Sequence, residues 1–243
     1  MKKVQSPKKN GPKKNGLIDT AYNKIKAMMY NQELAPGQRL SNPDLVRRLK
    51  ISSTPILQAL NRLENAKLVR YEQNKGFFVA EITETEITEL FQVREALETY
   101  LIPALVEKST EEDLARIRET FRAQKYSAKR IYLRSHLIAD AAFHVAIAKF
   151  SGNQTLVEVL ETIMERLLLK YRAEYLEEDS VERVLKEHRE LLRALLEKDT
   201  QRALQVMRDH IRAGLAHMLG NLQKRRKESL YWETGYEDML SLE

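Results

Sequence analysis

Cysteine is missing from all 243 residues. Disulfides and thiolate zinc sites are thereby excluded, and any metal ion must be held by His, Asp or Glu. Glycine and proline are scarce, 8 and 6 in all, too few for the dense turns of a sandwich or barrel. No apolar run approaches the ~18 residues of a membrane span. The Lys-rich start lacks the apolar stretch of a secretory signal. The expectation is a soluble cytoplasmic protein that does not meet a membrane. What remains is 43% hydrophobic and 31% charged, enough for a real core under a solvated surface.

The net charge of +6 conceals an asymmetry. Residues 1–80 hold 16 Lys and Arg against 5 Asp and Glu, and the rest hold 25 against 30. A basic first third on a mildly acidic remainder points to a polyanion at one end of the chain. Residues 1–16 combine Lys, Pro, Gly and Asn without apolar periodicity and read as a disordered basic arm.

Ile18, Tyr22, Ile25 and Met29 predict an amphipathic helix over 17–31, ended by a Pro-Gly turn. Ser41 or Asn42 caps a short second helix carrying Leu45, Val46 and Leu49. Thr54 caps and Pro55 opens a third helix to Asn65, with Leu57, Leu60 and Leu63 facing inward. Leu68 and its followers, and then Phe77 and its followers, read as strands around the turn Asn74-Lys75-Gly76. Three helices and a hairpin over 17–80 give the order of a winged helix-turn-helix.

From residue 83 to 224 every segment has helical periodicity. Breaks are expected near Ser109, Ser127, Gly152, Asp179-Ser180 and Asp199. The fold class is therefore mainly α: the winged helix-turn-helix followed by six helices in an all-α antiparallel bundle. The acidic, aromatic residues 225–243 read as a separate C-terminal tail.

The pieces Glu33-Leu-Ala-Pro-Gly, Thr54-Pro55 with Ala59-Leu60, and Gly76-Phe-Phe-Val resemble the GntR family of bacterial regulators. Arg94-Glu-Ala-Leu-Glu98, Asp140-Ala-Ala-Phe-His144, Ser151-Gly-Asn153, His188-Arg-Glu and His210-Ile211 resemble its branch with an FCD effector domain. The resemblance implies a homodimeric DNA-binding transcriptional regulator, a repressor type, on a pseudo-palindromic operator in double-stranded DNA. It departs from the family where arginines usually flank the recognition-helix start: Ser53 and Leu57 stand there, Gln58 replaces the usual Glu, and Asn42-Pro43 replaces an acidic-basic pair. The usual arginine-to-guanine contact is therefore not carried over. Ser52, Ser53, Thr54 and Gln58 are left as base-edge candidates. Arg47, Arg48, Arg62 and Lys75, with Gly76 at the wing tip, are the phosphate candidates.

All five histidines lie in the helical region. Asp140 and His144 share one helix face. His188 and His210 each stand about eleven residues from the turn near Asp199, at matching height in an antiparallel pair. One Asp and three His can thus converge on a divalent transition metal, with Zn, Ni and Fe all compatible. His136, one turn before Asp140, reads as a supporting or exposed group, and His217 has no assignment. The resemblance implies that an open coordination position takes the carboxylate of a small organic acid. It makes Arg94 a ligand of that carboxylate, with Arg134 and Asn153 as further candidates; a salt bridge to Glu95 or Glu98 is the other reading of Arg94. Two alternatives stand beside this: a metal-free regulator with a larger acyl or sugar ligand, and a metalloenzyme with a basic appendage. Against the enzyme, no H-E-x-x-H motif or nucleophile elbow is present.

Overall fold

The computed structural model of the chain describes residues 14–127, 133–171 and 178–240. Most of the expected basic arm lies outside these residues; its end, from Lys14, already belongs to the first helix. The chain divides into two compact units, one up to Glu81 and one from Ile82.

The first unit runs α1 (Lys14–Tyr30), β1 (Arg39–Leu40), α2 (Asn42–Leu49), α3 (Ser53–Asn65), β2 (Val69–Glu72) and β3 (Gly76–Val79). The sheet order is β1-β3-β2, antiparallel throughout, with Leu40 opposite Phe77 and Val69 opposite Val79. The sequence reading missed β1, because two residues carry no alternation to detect. Ser41 caps α2, its hydroxyl accepting from the Asp44 amide at 3.4 Å, with Pro43 in the first turn. α3 begins earlier than expected: Ser52, not Thr54, is the capping position, and it makes no side-chain cap hydrogen bond. Ile25, Ile56, Leu60 and Leu63 are fully buried between α1 and α3. Leu57 is the exception to the expected apolar face: it is 39% exposed, because Ile56 and Ala59 take the inward positions. In the wing turn, Asn74 and Gly76 both have positive φ (64° and 91°), which Asn tolerates and Gly adopts without a Cβ clash.

The second unit is built from α4 (Glu84–Lys108), α5 (Glu111–Ser127), α6 (Leu133–Phe150), α7 (Gln154–Lys170), α8 (Glu178–Leu196) and α9 (Thr200–Leu240). α4 is the central helix and packs on α6, α7, α8 and α9. It stays helical through Pro103, with Ile102 and Leu105 fully buried on either side. Thr83 caps it, accepting from the Glu86 amide at 3.1 Å. The Glu86 carboxylate in turn holds Arg166 at 2.6 Å and the buried Lys170, fastening the start of α4 to the end of α7. Ile87, Phe91, Phe143, Ile147, Leu191, Met207 and Ile211 form one continuous core.

Two boundaries differ from the sequence reading. The break expected at Asp179-Ser180 is the first turn of α8, since an acidic-serine pair reads equally as a loop or a helix start. The expected separate tail is, through Leu240, a continuation of α9; the stretch contains no proline to stop it.

Candidate metal centre and DNA-reading surface

Three helices deliver the four expected metal ligands. α6 presents Asp140 and His144 one turn apart. α8 and α9 form a tight antiparallel hairpin, with Lys198 in the left-handed conformation at its turn (φ 55°), so His188 and His210 face each other across it. The Nε2 atoms of His144 and His210 are 3.1 Å apart, and those of His188 and His210 are 3.3 Å apart. An Asp140 oxygen stands 3.6 Å from His188 Nε2 and 3.9 Å from His144 Nε2. All four donor atoms lie within 4.8 Å of one another, and the three imidazoles are buried.

The opposite ring nitrogens fix what these atoms are. His144 Nδ1 meets a Glu98 carboxylate oxygen. His188 Nδ1 donates to the Gln124 amide oxygen at 2.7 Å, and His210 Nδ1 donates to Glu187 at 2.7 Å. Gln124 is oriented by its own amide, which donates to Asp140 at 3.1 Å. With every Nδ1 donating to an oxygen, every Nε2 carries a lone pair. Three lone pairs and a carboxylate thus converge with no proton to share among the nitrogens. The two Nε2 separations to His210, 3.1 and 3.3 Å, match the roughly 3.3 Å between nitrogens on a tetrahedral zinc with ~2.0–2.1 Å bonds. Oxygen partners behind each imidazole are the usual support of metal-binding histidines.

The charges agree with that arrangement. Burial, then the Arg94 cation, holds the His144 pKa below its ordinary value against the pull of Glu98. Burial, followed by His210 and His144, pushes His188 well below it. Both imidazoles are therefore kept neutral and able to ligate. Burial raises the Glu98 and Asp140 pKa values, but the groups that face the two carboxylates outweigh it. His144 and Arg94 bring Glu98 to about 2, and His144, Arg94 and His210 lower Asp140.

Beside the four ligands is a cavity of about 90 Å³ whose wall includes Phe91, Arg94, His136, Asp140, Met164 and His210. Arg94 makes the salt bridge that was one of its two readings: its Nε donates to Glu98 at 2.6 Å, while its Nη2 is buried without a hydrogen-bond partner among the described residues. His136 is buried on the cavity wall rather than exposed. His217 also lines the cavity and pairs with Asn221 at 3.0 Å. Asn153 is not brought there: it caps α7, accepting from the Leu156 amide at 3.1 Å. The Arg134 side chain lies outside the described residues. Gln124 and Glu187 were missed in the sequence; Glu98 was named there as a partner of Arg94, four residues on, but not as the group behind His144.

In the first unit, Ser52, Ser53, Thr54, Leu57 and Gln58 form the exposed start of α3. Ser53 accepts from the Asn42 amide at 2.7 Å. Arg47 pairs with Asp44 and Arg48 with Glu33. Arg62 pairs with Asp19 at 2.5 Å and lies over the Tyr22 ring. Lys75 is 71% exposed at the wing, 3.2 Å from Glu72. Beside it is Gly76, where an added Cβ would meet nothing within 4 Å. The cations expected to meet phosphates are thus on the surface, each held by a carboxylate.

Residues 17–79 match the bacterial regulatory proteins of the gntR family, and residues 89–213 match the FCD domain. The HTH-type transcriptional regulator YdhC of Bacillus subtilis is 23% identical over 207 residues, 85% of this chain and 92% of that protein. The HTH-type transcriptional repressor GlaR of Escherichia coli is 26% identical over 199 residues, 78% of this chain and 90% of that protein. A crystal structure of a GntR transcriptional regulator from Rhodococcus sp. RHA1 has the same fold, with a TM-score of 0.75 and 22% identity over 84% of this chain and 97% of that one. These relatives are regulators, not enzymes. Among the described residues no helix is long and apolar enough to cross a membrane. The chain belongs to the GntR family of bacterial transcriptional regulators, in the branch with an FCD domain, and is a DNA-binding regulator of transcription.

Proposed function

We propose that this regulator binds a divalent transition metal through Asp140, His144, His188 and His210, and that a small organic acid bound at the metal controls its hold on an operator. The observation that carries the reading is the convergence of three imidazole lone pairs whose opposite nitrogens are all engaged. The ion supplies a Lewis-acidic position for a carboxylate, and the free Nη2 of Arg94 supplies a second hold on it. A cavity of about 90 Å³ has room for a small acid beside the four side chains. Imidazole and carboxylate donors suit zinc, nickel or ferrous iron.

Control then follows if the acid favours one arrangement of two paired DNA-binding units over another. Homodimeric binding to a pseudo-palindrome, with the start of α3 in the major groove, supplies the geometry. The repressor sense follows that of GlaR, a transcriptional repressor. The test is elemental analysis after purification with zinc present. The wild type is expected to retain about one equivalent and His144→Ala less than about a tenth. A zinc-free wild type that still binds its operator and responds to a small acid would overturn the metal reading.

A further inference from the structure

Asn42 and Ser53 are the first residues of α2 and α3, and their side chains join the two helix starts. The Asn42 amide nitrogen, Nδ2, donates to the Ser53 hydroxyl at 2.7 Å. Its Oδ1 is buried and has no hydrogen-bond partner among the described residues. The reverse orientation would bury two N–H donors in that place instead of one carbonyl oxygen. Orphaned donors are the rarer and costlier case. The amide is therefore the donor and the hydroxyl the acceptor.

That direction decides what Ser53 offers outward. A hydroxyl has one proton and two lone pairs. Asn42 occupies one lone pair, so the proton points away from Asn42, and it meets no acceptor among the described residues. Accepting one hydrogen bond also strengthens the next one that the same hydroxyl donates. Ser53 is exposed, while Ile51, Pro55 and Ile56 around it are buried and hold the α3 start in place. The outward group is thus an oriented O–H donor, at the helix end that contacts base edges in a helix-turn-helix. In the major groove adenine and guanine show the N7 acceptor, guanine also O6, and thymine O4. Cytosine shows only the N4 donor.

We propose that Asn42 positions Ser53 as a hydrogen-bond donor to a base edge, so that each operator half-site disfavours cytosine at the base facing Ser53. Asn42 is a positioning residue that acts through Ser53. This rests on the placement of the α3 start in the major groove given above.

The test is selection of bound duplexes from a random pool by the full chain, then affinity measurements on the selected site with each of the four bases at every position. In the wild type, one position per half-site is expected to bind about fivefold more weakly with cytosine than with its best base. Ser53→Ala is expected to bring the four bases at that position within about twofold and to leave the preferences elsewhere. Asn42→Asp turns the bond round: a carboxylate only accepts, so it takes the Ser53 proton and leaves lone pairs facing the base. Its added charge weakens binding to all sequences alike, but the cytosine penalty is expected to vanish at that one position. Damage to the fold would instead weaken the preference at every position. A cytosine penalty that survives Ser53→Ala or Asn42→Asp would overturn the proposal. So would an equal loss across all sequences in Ser53→Ala, the mark of a phosphate contact. Failure of the underlying placement looks different: no sequence is enriched, or Ser53→Ala, Thr54→Ala and Gln58→Ala each leave every preference unchanged. If Gln58→Ala shifts a preference and Ser53→Ala shifts none, the α3 placement stands and the role of Asn42 falls.

Discussion

Glu98 touches both the Arg94 guanidinium and the His144 ring from a fully buried position. Removing its charge while keeping its shape tests whether the groups behind the imidazoles tune the site. Glu98→Gln is expected to weaken zinc binding by about 10- to 100-fold, read by competition with a chelating dye, while the helical circular dichroism is kept. Acid sensitivity of the metal-free protein follows from the same residues. The folded-state pKa values of His144 and His188 lie below the ordinary histidine value of 6.5. Above pH 6.5 both rings are neutral whether the chain is folded or not, and their contribution to stability is complete. As pH falls below 6.5 the unfolded chain takes up protons that the folded one refuses, and stability is lost. Urea midpoints of the metal-free chain should therefore drop from pH 7 toward pH 5, and replacing both histidines with a neutral amide side chain should flatten that drop. Of this site, the convergence of Asp140, His144, His188 and His210 was legible from spacing and matching heights on a helix pair. The contacts of Glu98, Gln124 and Glu187 with the imidazoles were not, because a hydrogen bond across 46, 64 or 23 residues leaves no local period.

The helices themselves were legible wherever apolar periodicity coincided with caps and turns, as at Ser41, Ser109 and Asp199. Two serines at helix starts separate residue type from actual capping. Ser41 accepts a backbone hydrogen bond and Ser52 accepts none. Ser41→Ala should cost about 1 kcal/mol, and Ser52→Ala clearly less, in chemical denaturation of the first unit. Equal costs would show that the α3 start is capped in solution by a contact absent here. The misplaced element features share one cause: a short signal with two readings. Leu57 fits the 3.6 period as well as Ile56 does, but only Ile56 is needed to fill the space between α1 and α3. Gly214 is the reverse case, a glycine inside α9 whose place no sequence rule anticipates. A Cβ there would stand 3.1 Å from the Phe91 ring, so close packing of α9 on α4 explains it.

At the scale of the whole molecule, a basic DNA-binding unit and a helical second unit were both legible from charge asymmetry and the change of period near residue 80. The DNA-binding unit has spread its cations over α2, α3 and the wing rather than placing arginines at the start of α3. Lys75→Ala should weaken binding to specific and random duplexes alike and reduce the salt slope by about one. Loss confined to one sequence would instead mark Lys75 as a base reader. The convergence of α6, α8 and α9 on one point has a mechanical consequence for a chain without cysteine. His144 and His210 are 66 residues apart in sequence, and a bound ion would tie them as a removable rivet. Closing so long a loop restricts the unfolded chain by about 4 kcal/mol on the scale used for covalent cross-links. The helical unit would then be held shut by that ion, and a chelator would lower its resistance to heat and proteases while leaving every covalent bond intact.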